Sequence, residues 1–257
     1  MRLKLLKCML CNKKIVALFL IVLAGMVGSS CALAENLLMV FRDKPPYSYL
    51  DNGIAKGFLL ERVRQVLKRA GISSELREMP PKRIFMEIEK NTQAVCSFGW
   101  YKIPEREKYA LFSLPIHQDR PHAVLAGDGS LIKIRRHLHI KELMSDQTLF
   151  LVAADGVSYG SDIDAMIGAF PGKVDKTLQS PLEVARKLAA QRADFMFIDQ
   201  DDYDYLIASN ADFRGEGLTL IQFQDMPTGL KRYILCSKLV GEPMIRRINQ
   251  AIEAMGD

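Results

Sequence analysis

The chain has 257 residues, of which 49% are hydrophobic and 25% are charged, and its formal net charge is +5. All five charged residues of the first 34 are basic, so the remaining segment carries 30 basic and 30 acidic side chains. This even balance excludes charge as an argument for a nucleic-acid or membrane-surface partner. The 223 residues after position 34 are enough to bury one large core or two smaller ones.

Residues 1–34 have the pattern of a secretory signal peptide. Basic residues occupy positions 1–14, an uncharged apolar run follows at 15–28, and Ala32-Leu33-Ala34 forms a small-x-small cleavage site. The 14-residue apolar run is shorter than the roughly 20 residues of a membrane span. We therefore predict cleavage after Ala34 and export to the periplasm. Lipoprotein processing at Cys31 is an alternative, although the three residues before it lack the usual aliphatic side chain.

The next 65 residues alternate strand and helix patterns. Apolar strands are predicted at 37–41, 72–78 and just before Gly99, and a proline-rich turn at 43–49. Apolar residues with helical spacing predict helices over 57–70 and 82–90. Two β-α-β crossovers predict an α/β fold with a mainly parallel sheet, whose ligand sites lie at the carboxyl ends of its strands.

A second unit of the same kind follows a predicted boundary at 127–130, which is rich in Gly, Asp and Ser. Its predicted strands are at 149–153, 173–178 and 195–198, and its helices start at Ser161, Pro181 and Asp201. The chain then passes through apolar stretches at 218–223 and 232–237 to an amphipathic helix at 242–255. The sequence therefore predicts two α/β units in series.

Two cysteines follow the leader, Cys96 and Cys236, each inside an apolar, strand-like run. In an oxidising compartment they are either two buried thiols or one disulfide between distant parts of the chain. The sequence leaves both alternatives open, because the separation of the two Cα atoms decides between them.

A hydrolase motif is present only in part. Gly156-Val157-Ser158-Tyr159-Gly160 fits G-x-S-x-G between a strand and a helix, where a nucleophile elbow belongs. That fold places its catalytic histidine after the serine, whereas all four histidines precede Ser158. We therefore predict that the backbone N–H groups of this turn, at a helix N-terminus, receive an anionic group of a ligand.

Metal motifs are incomplete as well. His137-x-His139 has no further ligand at metal-binding spacing, and the acidic run from Asp199 has Asp204 where a calcium loop needs glycine. Helix capping by Asp199 or Asp201 explains this run more simply. The sequence predicts no metal, no cofactor and no enzymatic activity.

Residues 96–116 combine the chain's only tryptophan, Trp100, with Tyr101 and Arg106, and they carry a family resemblance. The stretch from Lys102 to Ile116 resembles the T-x-x-R and F-S-x-P-Y signature of bacterial extracellular solute-binding proteins of family three, the polar amino acid binders. Further matching segments lie in the same order along the chain: Pro45-Pro46-Tyr47-Ser48-Tyr49, Gly57-Phe58 with Glu61, Gly156-x-Ser158-Tyr159, and Ala193-Asp194 to Asp199.

The resemblance implies a two-lobed periplasmic binding protein of type II, the Venus-flytrap fold. Each lobe would be a mainly parallel sheet flanked by helices, with two hinge strands joining the lobes. Lobe 1 would comprise residues 35–122 and 227–257, and lobe 2 residues 123–226.

The resemblance also implies the ligand contacts. Arg106 would bind a ligand carboxylate, and Asp199 would bind its α-ammonium from the other lobe. Aromatic side chains would line the pocket, and the Gly156 turn would meet the anionic group. The residues concerned, besides Arg106 and Asp199, are Tyr47, Trp100, Tyr101, Ser158 and Tyr159.

The chain departs from the amino acid binders around the arginine. Gly99, Trp100 and Tyr101 replace small hydroxyl residues, and Ile103 replaces the threonine of T-x-x-R. Those hydroxyls hold the α-amino acid backbone, so the departure bears on the ligand class more than on the fold.

The predicted function is binding of a small polar or zwitterionic ligand, amino acid-like or a small carboxylate, by a monomer. The ligand would pass to an inner-membrane ABC permease or be reported to a sensor protein, with no nucleic acid involved. One alternative is a periplasmic dehydratase on the same fold, which requires a general acid such as Glu105 or Glu107. The other is a sensory binding module that works without a transporter.

Overall fold

The computed structural model describes residues 36–155, 157–177, 180–213 and 217–256. Asn36–Asp257 form one compact unit. The predicted signal peptide, with its cleavage site and Cys31, lies outside the described residues. Within the described ranges, no helix has both the length and the apolar character that a bilayer crossing requires.

Most of the described chain alternates strands with helices. The strands are β1 (Leu37–Phe41), β2 (Tyr49–Asp51), β3 (Ile54–Lys56), β4 (Ser74–Glu78), β5 (Val95–Tyr101), β6 (Ala110–Gln118), β7 (Ala123–Gly127), β8 (Phe150–Ala154), β9 (Lys173–Thr177), β10 (Phe195–Ile198), β11 (Leu218–Ile221) and β12 (Lys231–Ser237). The helices are α1 (Phe58–Arg69), α2 (Pro81–Lys90), α3 (Pro104–Glu107), α4 (Leu131–Arg135), α5 (Ile140–Leu143), α6 (Ser161–Ala169), α7 (Pro181–Ala189), α8 (Gln200–Ser209) and α9 (Gly241–Glu253). The predicted elements occur in the predicted order, whereas the sequence does not predict β2, β3, β6 and the short helices α3, α4 and α5.

The strands form two five-stranded sheets and one small hairpin. The first sheet has the order β4-β1-β5-β12-β6, the second has the order β11-β7-β10-β8-β9, and β2 pairs with β3. In the first sheet β1 is parallel to β4 and β5, whereas β12 is antiparallel to both β5 and β6. The second sheet likewise has two parallel and two antiparallel pairings.

Half of the strand pairings in each sheet are thus parallel, whereas the sequence predicts mainly parallel sheets. The reason in the first sheet is β12, which comes from the far end of the chain and enters between β5 and β6 in the opposite direction. Crossover counting along the early sequence does not detect a strand that arrives from so far away.

Amphipathic helices cover the first sheet. Helix α1 buries Leu59, Leu60 and Val63 on one face, at the spacing that predicts the helix. Helix α9 adds Ile245 and Ile248 to the same core. Each such side chain stabilises the fold by about 1.5–3 kcal/mol relative to an exposed position.

The second sheet is flanked by helices in the same way. Helix α7 begins at a capping box, in which the Ser180 hydroxyl accepts from the Glu183 N–H and the Glu183 carboxylate accepts from the Ser180 N–H. Pro181 occupies the first turn, as predicted. Val184 and Leu188 then face the core formed with Leu125 and Met196 of the sheet.

Strands β4 and β9 lie at the outer parallel edges of the two sheets. Strand β4 has the sequence SELRE and is exposed apart from its central leucine. Strand β9 has the sequence KVDKT, with both lysines exposed. Both edges therefore present charged side chains to water.

Cys96 and Cys236 form a disulfide between two strands of the first sheet. They are directly opposite each other in the antiparallel pairing of β5 with β12, and both are fully buried. The structure thus decides between the two alternatives that the sequence leaves open. The bond links positions 140 residues apart and fastens the returning strand β12 to the sheet.

Candidate functional site

Strands β1 and β5 are parallel neighbours, so their carboxyl ends meet at one edge of the first sheet. Arg42 directly follows β1, and Gly99 lies near the end of β5. Gly99 has a left-handed φ of +79° and is the unpaired residue of a bulge in β5, where the pairing with β12 shifts register. Glycine tolerates this conformation, and its carbonyl oxygen accepts from Arg42 Nη2 at 3.4 Å and from Arg232 Nη1 at 3.1 Å.

Arg232, in β12, is the centre of the site and is only 2% exposed. Its Nε donates to Asp119 Oδ1 at 2.6 Å, and its Nη2 donates to Asp199 Oδ2 at 3.2 Å. The guanidinium carbon lies 4.2 Å from the ring centroid of Tyr47 and 4.8 Å from that of Tyr101. Two carboxylates and two aromatic faces therefore surround one buried cation.

This environment shifts the titration of the central groups. Burial lowers the pKa of the Arg232 guanidinium, but interactions with Tyr101, Tyr47, Asp119 and Asp199 outweigh burial, and the net pKa is raised. Burial, with Asp199 as the next cause, raises the pKa of the Tyr47 and Tyr101 phenols. Arg232 is therefore charged, and both phenols are neutral, over the whole physiological range.

Two further arginines, Arg42 and Arg106, lie against the ring of Trp100. The indole is buried and its Nε1 donates to Ser97 Oγ at 2.8 Å. The guanidinium carbon of Arg42 lies 4.3 Å from the indole centroid, and that of Arg106 lies 5.6 Å from it. Arg106 also lies 4.5 Å from the Phe85 ring centroid and donates from Nη1 to the Tyr101 carbonyl at 2.9 Å. We call Arg42, Tyr47, Trp100, Tyr101, Arg106 and Arg232 the strand-end cluster.

Asp199 lies at the start of α8, beside the second sheet, and faces Arg232. It occupies the N-cap position of α8, but its side chain makes no capping hydrogen bond. Its Oδ2 instead accepts from Arg232, while its Oδ1 lies 3.2 Å from His122 Nε2 without an aligned hydrogen bond. The capping interpretation of Asp199 is therefore wrong. Asp201 does not cap the helix either, because it lies within the first turn, and Arg120 binds its carboxylate at 2.6 Å.

Helix α8 also contacts the loop after β1. Lys44 Nζ donates to both carboxylate oxygens of Asp202, at 2.7 and 3.0 Å. The rings of Tyr49 and Tyr205 lie 6.2 Å apart. Burial raises the pKa of the Asp202 carboxyl, and the nearby Lys44 ammonium partly offsets this. These contacts join an element flanking the second sheet to a loop of the first.

Ser158 and Tyr159 lie at the turn before α6, where an acid of the same helix uses their donors. Asp164 accepts from the Ser158 hydroxyl at 2.6 Å and from the Tyr159 N–H at 2.8 Å. The Tyr159 hydroxyl accepts from the Ala154 N–H, and its ring lies 5.8 Å from the His122 ring. The side chain of Asp164 thus takes one of the backbone donors that the sequence predicts for a ligand anion, the Tyr159 N–H.

One group of side chains has the proximity of a metal site. Single ligand atoms of His117, Asp119 and Asp201 lie within 4.8 Å of one another. However, Asp119 accepts from Arg232 and from the Tyr101 hydroxyl, and Asp201 accepts from Arg120. Cations already compensate both carboxylates, so this arrangement favours ion pairing over metal binding.

The two histidines of the H-x-H motif lie next to two different acids. His137 Nε2 lies 3.0 Å from Asp146, and His139 Nδ1 lies 3.7 Å from Asp225. The two rings therefore do not converge on one position.

The carboxyl group of Asp201 provides a test of this ion pairing. Its pKa is lowered to about 2, first by His117 and then by Arg120 against the effect of burial. The Nε2 of His117 lies 3.7 Å away, beyond hydrogen-bond distance, so we regard Arg120 as the stronger partner. A depressed folded-state pKa adds stability above the unfolded value near 3.9, and this stability is lost as pH falls toward 2.

We therefore expect Asp201→Asn to lower the free energy of unfolding by about 1 kcal/mol at pH 6, after allowance for solvent screening. The deficit should shrink between about pH 4 and pH 2. Thermal unfolding across pH 2–7 measures it, with Asp43→Asn at an exposed position as the control. A deficit that stays constant with pH would contradict this assignment.

The structure brings several predicted residues together and leaves others apart. Tyr47, Tyr101 and Asp199 surround Arg232, whereas Trp100 and Arg106 lie side by side next to them. Arg106 and Asp199 have no contact with each other among the described interactions. The Ser158 hydroxyl donates to Asp164 of the following helix. The Tyr159 ring contacts the ring of His122, which in turn lies next to Asp199.

Sequence reasoning missed Arg42, Asp119 and Arg232. The signal for Arg232 was present, since a basic residue begins the apolar run Tyr-Ile-Leu-Cys. A charge in that position indicates a buried ion pair or a strand end, and only the fold shows which.

The fold has two α/β sheets with aromatic and ionic side chains converging at strand ends, the architecture of type II periplasmic binding proteins. Residues 37–256 match the family described as bacterial extracellular solute-binding proteins, family 3. The chain belongs to this family.

Solved structures share the fold of this chain. An ancestral arginine-binding protein bound to arginine is 20% identical, with 86% of this chain and 93% of that one covered and a TM-score of 0.62. The arginine-, lysine-, histidine-binding protein ArtJ of Geobacillus stearothermophilus is 17% identical, with 86% and 89% covered and a TM-score of 0.62. AncCDT-1, an ancestral amino acid-binding protein and precursor of cyclohexadienyl dehydratase, is 20% identical, with 86% and 89% covered and a TM-score of 0.62. A search of curated proteins found no match.

Proposed function

We propose that this family member is a periplasmic protein that closes on a small polar ligand carrying a carboxylate. The two lobes would be residues 35–122 with 227–257, and residues 123–226, so that each lobe contains one of the two sheets. Hinge segments would run between β6 and β7 and between β11 and β12. The predicted signal peptide supports a periplasmic location, and the bound ligand would be delivered to an ABC permease or reported to a sensor protein.

The observation that carries the proposal is the position of Arg106. Its guanidinium lies beside Trp100 at the strand-end cluster and hydrogen bonds to a backbone carbonyl. No carboxylate lies within ion-pair distance of it in the part of the chain that the structure describes. Burial lowers the pKa of Arg106, which remains charged at neutral pH. A half-buried arginine without an acidic partner is suited to a ligand carboxylate.

The dehydratase alternative has less support from the site. Glu107 pairs with Lys102 at 2.9 Å, and both side chains are nearly half exposed. Glu105 is exposed on the same short helix. Neither carboxyl group is held in a buried position where a general acid would be tuned for proton transfer.

Thermal unfolding of the compact unit from residue 36 tests the proposal, with amino acids, small carboxylates and polyamines as ligands. A true ligand at a hundredfold excess over its dissociation constant stabilises the folded state by about 2.7 kcal/mol. Arg106→Ala should weaken that ligand roughly tenfold to a hundredfold, because a charge-assisted hydrogen bond is lost.

The matched control is Arg246→Ala, on the exposed face of α9, which should leave the shift unchanged. Absence of a shift with every compound would contradict small-solute binding at this site. An equal loss in both variants would contradict the role of Arg106.

A further inference from the structure

Arg232 has the surroundings that would suit a ligand cation. Its guanidinium lies between the faces of Tyr47 and Tyr101 and donates to Asp119 and Asp199. Aromatic faces and carboxylates are the groups by which proteins hold a cationic ligand. The side chain is 2% exposed, so this cation belongs to the protein interior and is not offered to solvent. The negative charge of Asp199 is therefore compensated by a residue of the same chain.

Arg42 and Arg106 present the opposite situation. Each guanidinium has five N–H donors, and the contacts described use one of them, on the carbonyl of Gly99 or of Tyr101. Within the described ranges, neither has a carboxylate at ion-pair distance. Asp202, the acid on α8 that acts on Arg42 electrostatically, is itself bound by Lys44 at 2.7 Å.

The positive charge around Arg42 is consequently in excess. Burial, and then repulsion from Arg232, lowers the pKa of Arg42 to about 10. Arg42 is still protonated at pH 7, so it carries a half-buried charge that lacks a partner. An anion bound beside Arg42 and Arg106, which both lie against Trp100, would offset this excess charge and use their remaining donors.

We propose that the strand-end cluster selects small carboxylates that carry no ammonium group, with Arg42 and Arg106 holding the carboxylate. The inference rests on the proposed function and narrows its ligand class. A zwitterionic amino acid would bring an ammonium next to Arg232, whose acids are already paired. That ammonium would lose its hydration without gaining a free carboxylate. Arg232 supplies the cation that an amino acid ligand would otherwise provide.

Matched ligand pairs with one carbon skeleton test this selection. Glutarate is compared with L-glutamate, and succinate with L-aspartate, by titration calorimetry on the unmodified compact unit from residue 36. We expect each dicarboxylate to bind at least tenfold more tightly than its amino acid. Because this comparison needs no variant, it does not depend on whether a mutant folds.

Arg42→Gln identifies the arginine that the selection uses, with Arg246→Gln as the matched control. Arg42→Gln should weaken the dicarboxylate roughly tenfold or more. An unchanged affinity in Arg42→Gln would overturn the assignment of Arg42. Tighter binding of the amino acids would overturn the inference and leave the proposed function standing. If none of these compounds, nor arginine or the other ligands above, binds, the proposed function and the inference both fail.

Discussion

Replacing Arg232 with methionine should lower the free energy of unfolding by about 3–5 kcal/mol. The change leaves Asp119 buried without its cation and removes a partner of Asp199. Removing one member of a buried ion pair costs this much because the remaining charge cannot recover its hydration. Urea-induced unfolding at pH 7 gives the difference directly.

The matched control is Arg120→Met. Arg120 also binds two carboxylates, those of Asp201 and Asp204 at 2.6 Å each, but its side chain is 46% exposed. An exposed pair contributes about 1 kcal/mol or less. Because both arginines bind two carboxylates, the comparison separates the effect of burial on the free energy of unfolding from the effect of the ion pairs themselves. Equal losses in the two variants would show that Arg232 does not compensate a desolvated acid.

The pH dependence of Arg232→Met has a definite sign. An orphaned buried carboxylate titrates at a raised pKa, because burial disfavours its charged form. The deficit of the variant should therefore become smaller as the pH falls and the carboxyl group takes up a proton. A deficit that grows on mild acidification would contradict this explanation.

Loss of the disulfide should have a comparable effect. We expect Cys96→Ala with Cys236→Ala to lower the free energy of unfolding by about 2–5 kcal/mol. The bond closes a segment of 140 residues, and without it the unfolded chain gains conformational freedom. Urea unfolding in the absence of reductant measures the loss.

The unmodified chain in the presence of reductant is the control, because it loses the bond without changing the packed side chains. Its deficit should agree with that of the double variant within about 1 kcal/mol, which covers the small cavity left by two sulfur atoms. A loss below about 1 kcal/mol in both samples would contradict a stabilising crosslink between β5 and β12.

Local patterns were sufficient to predict most elements. The apolar spacing in α1 and the Ser180-Pro181 start of α7 depend on residues close together in the chain, and the structure confirms both. These signals are local because helix formation and capping involve neighbours three or four residues apart.

The ionic part of the site could not be predicted in this way. Asp119 and Arg232 are 113 residues apart and meet only because β12 is inserted into the first sheet. Asp199 has the sequence position of a helix cap, yet its carboxylate accepts from Arg232. A hydrogen bond from a buried cation is stronger than a hydrogen bond from a backbone N–H at the helix end. The choice between such partners depends on tertiary structure and leaves no local trace.

The charged edges of the two sheets have a consequence for the concentrated protein. An open sheet edge is a template on which a second chain can add a strand, the first step toward fibrillar aggregation. Strand β4 presents Glu75 and Arg77 there, and β9 presents Lys173 and Lys176. Any strand added to either edge would have to bring these charges close to its own side chains. The exposed charges on β4 and β9 therefore oppose the addition of a strand at these two edges.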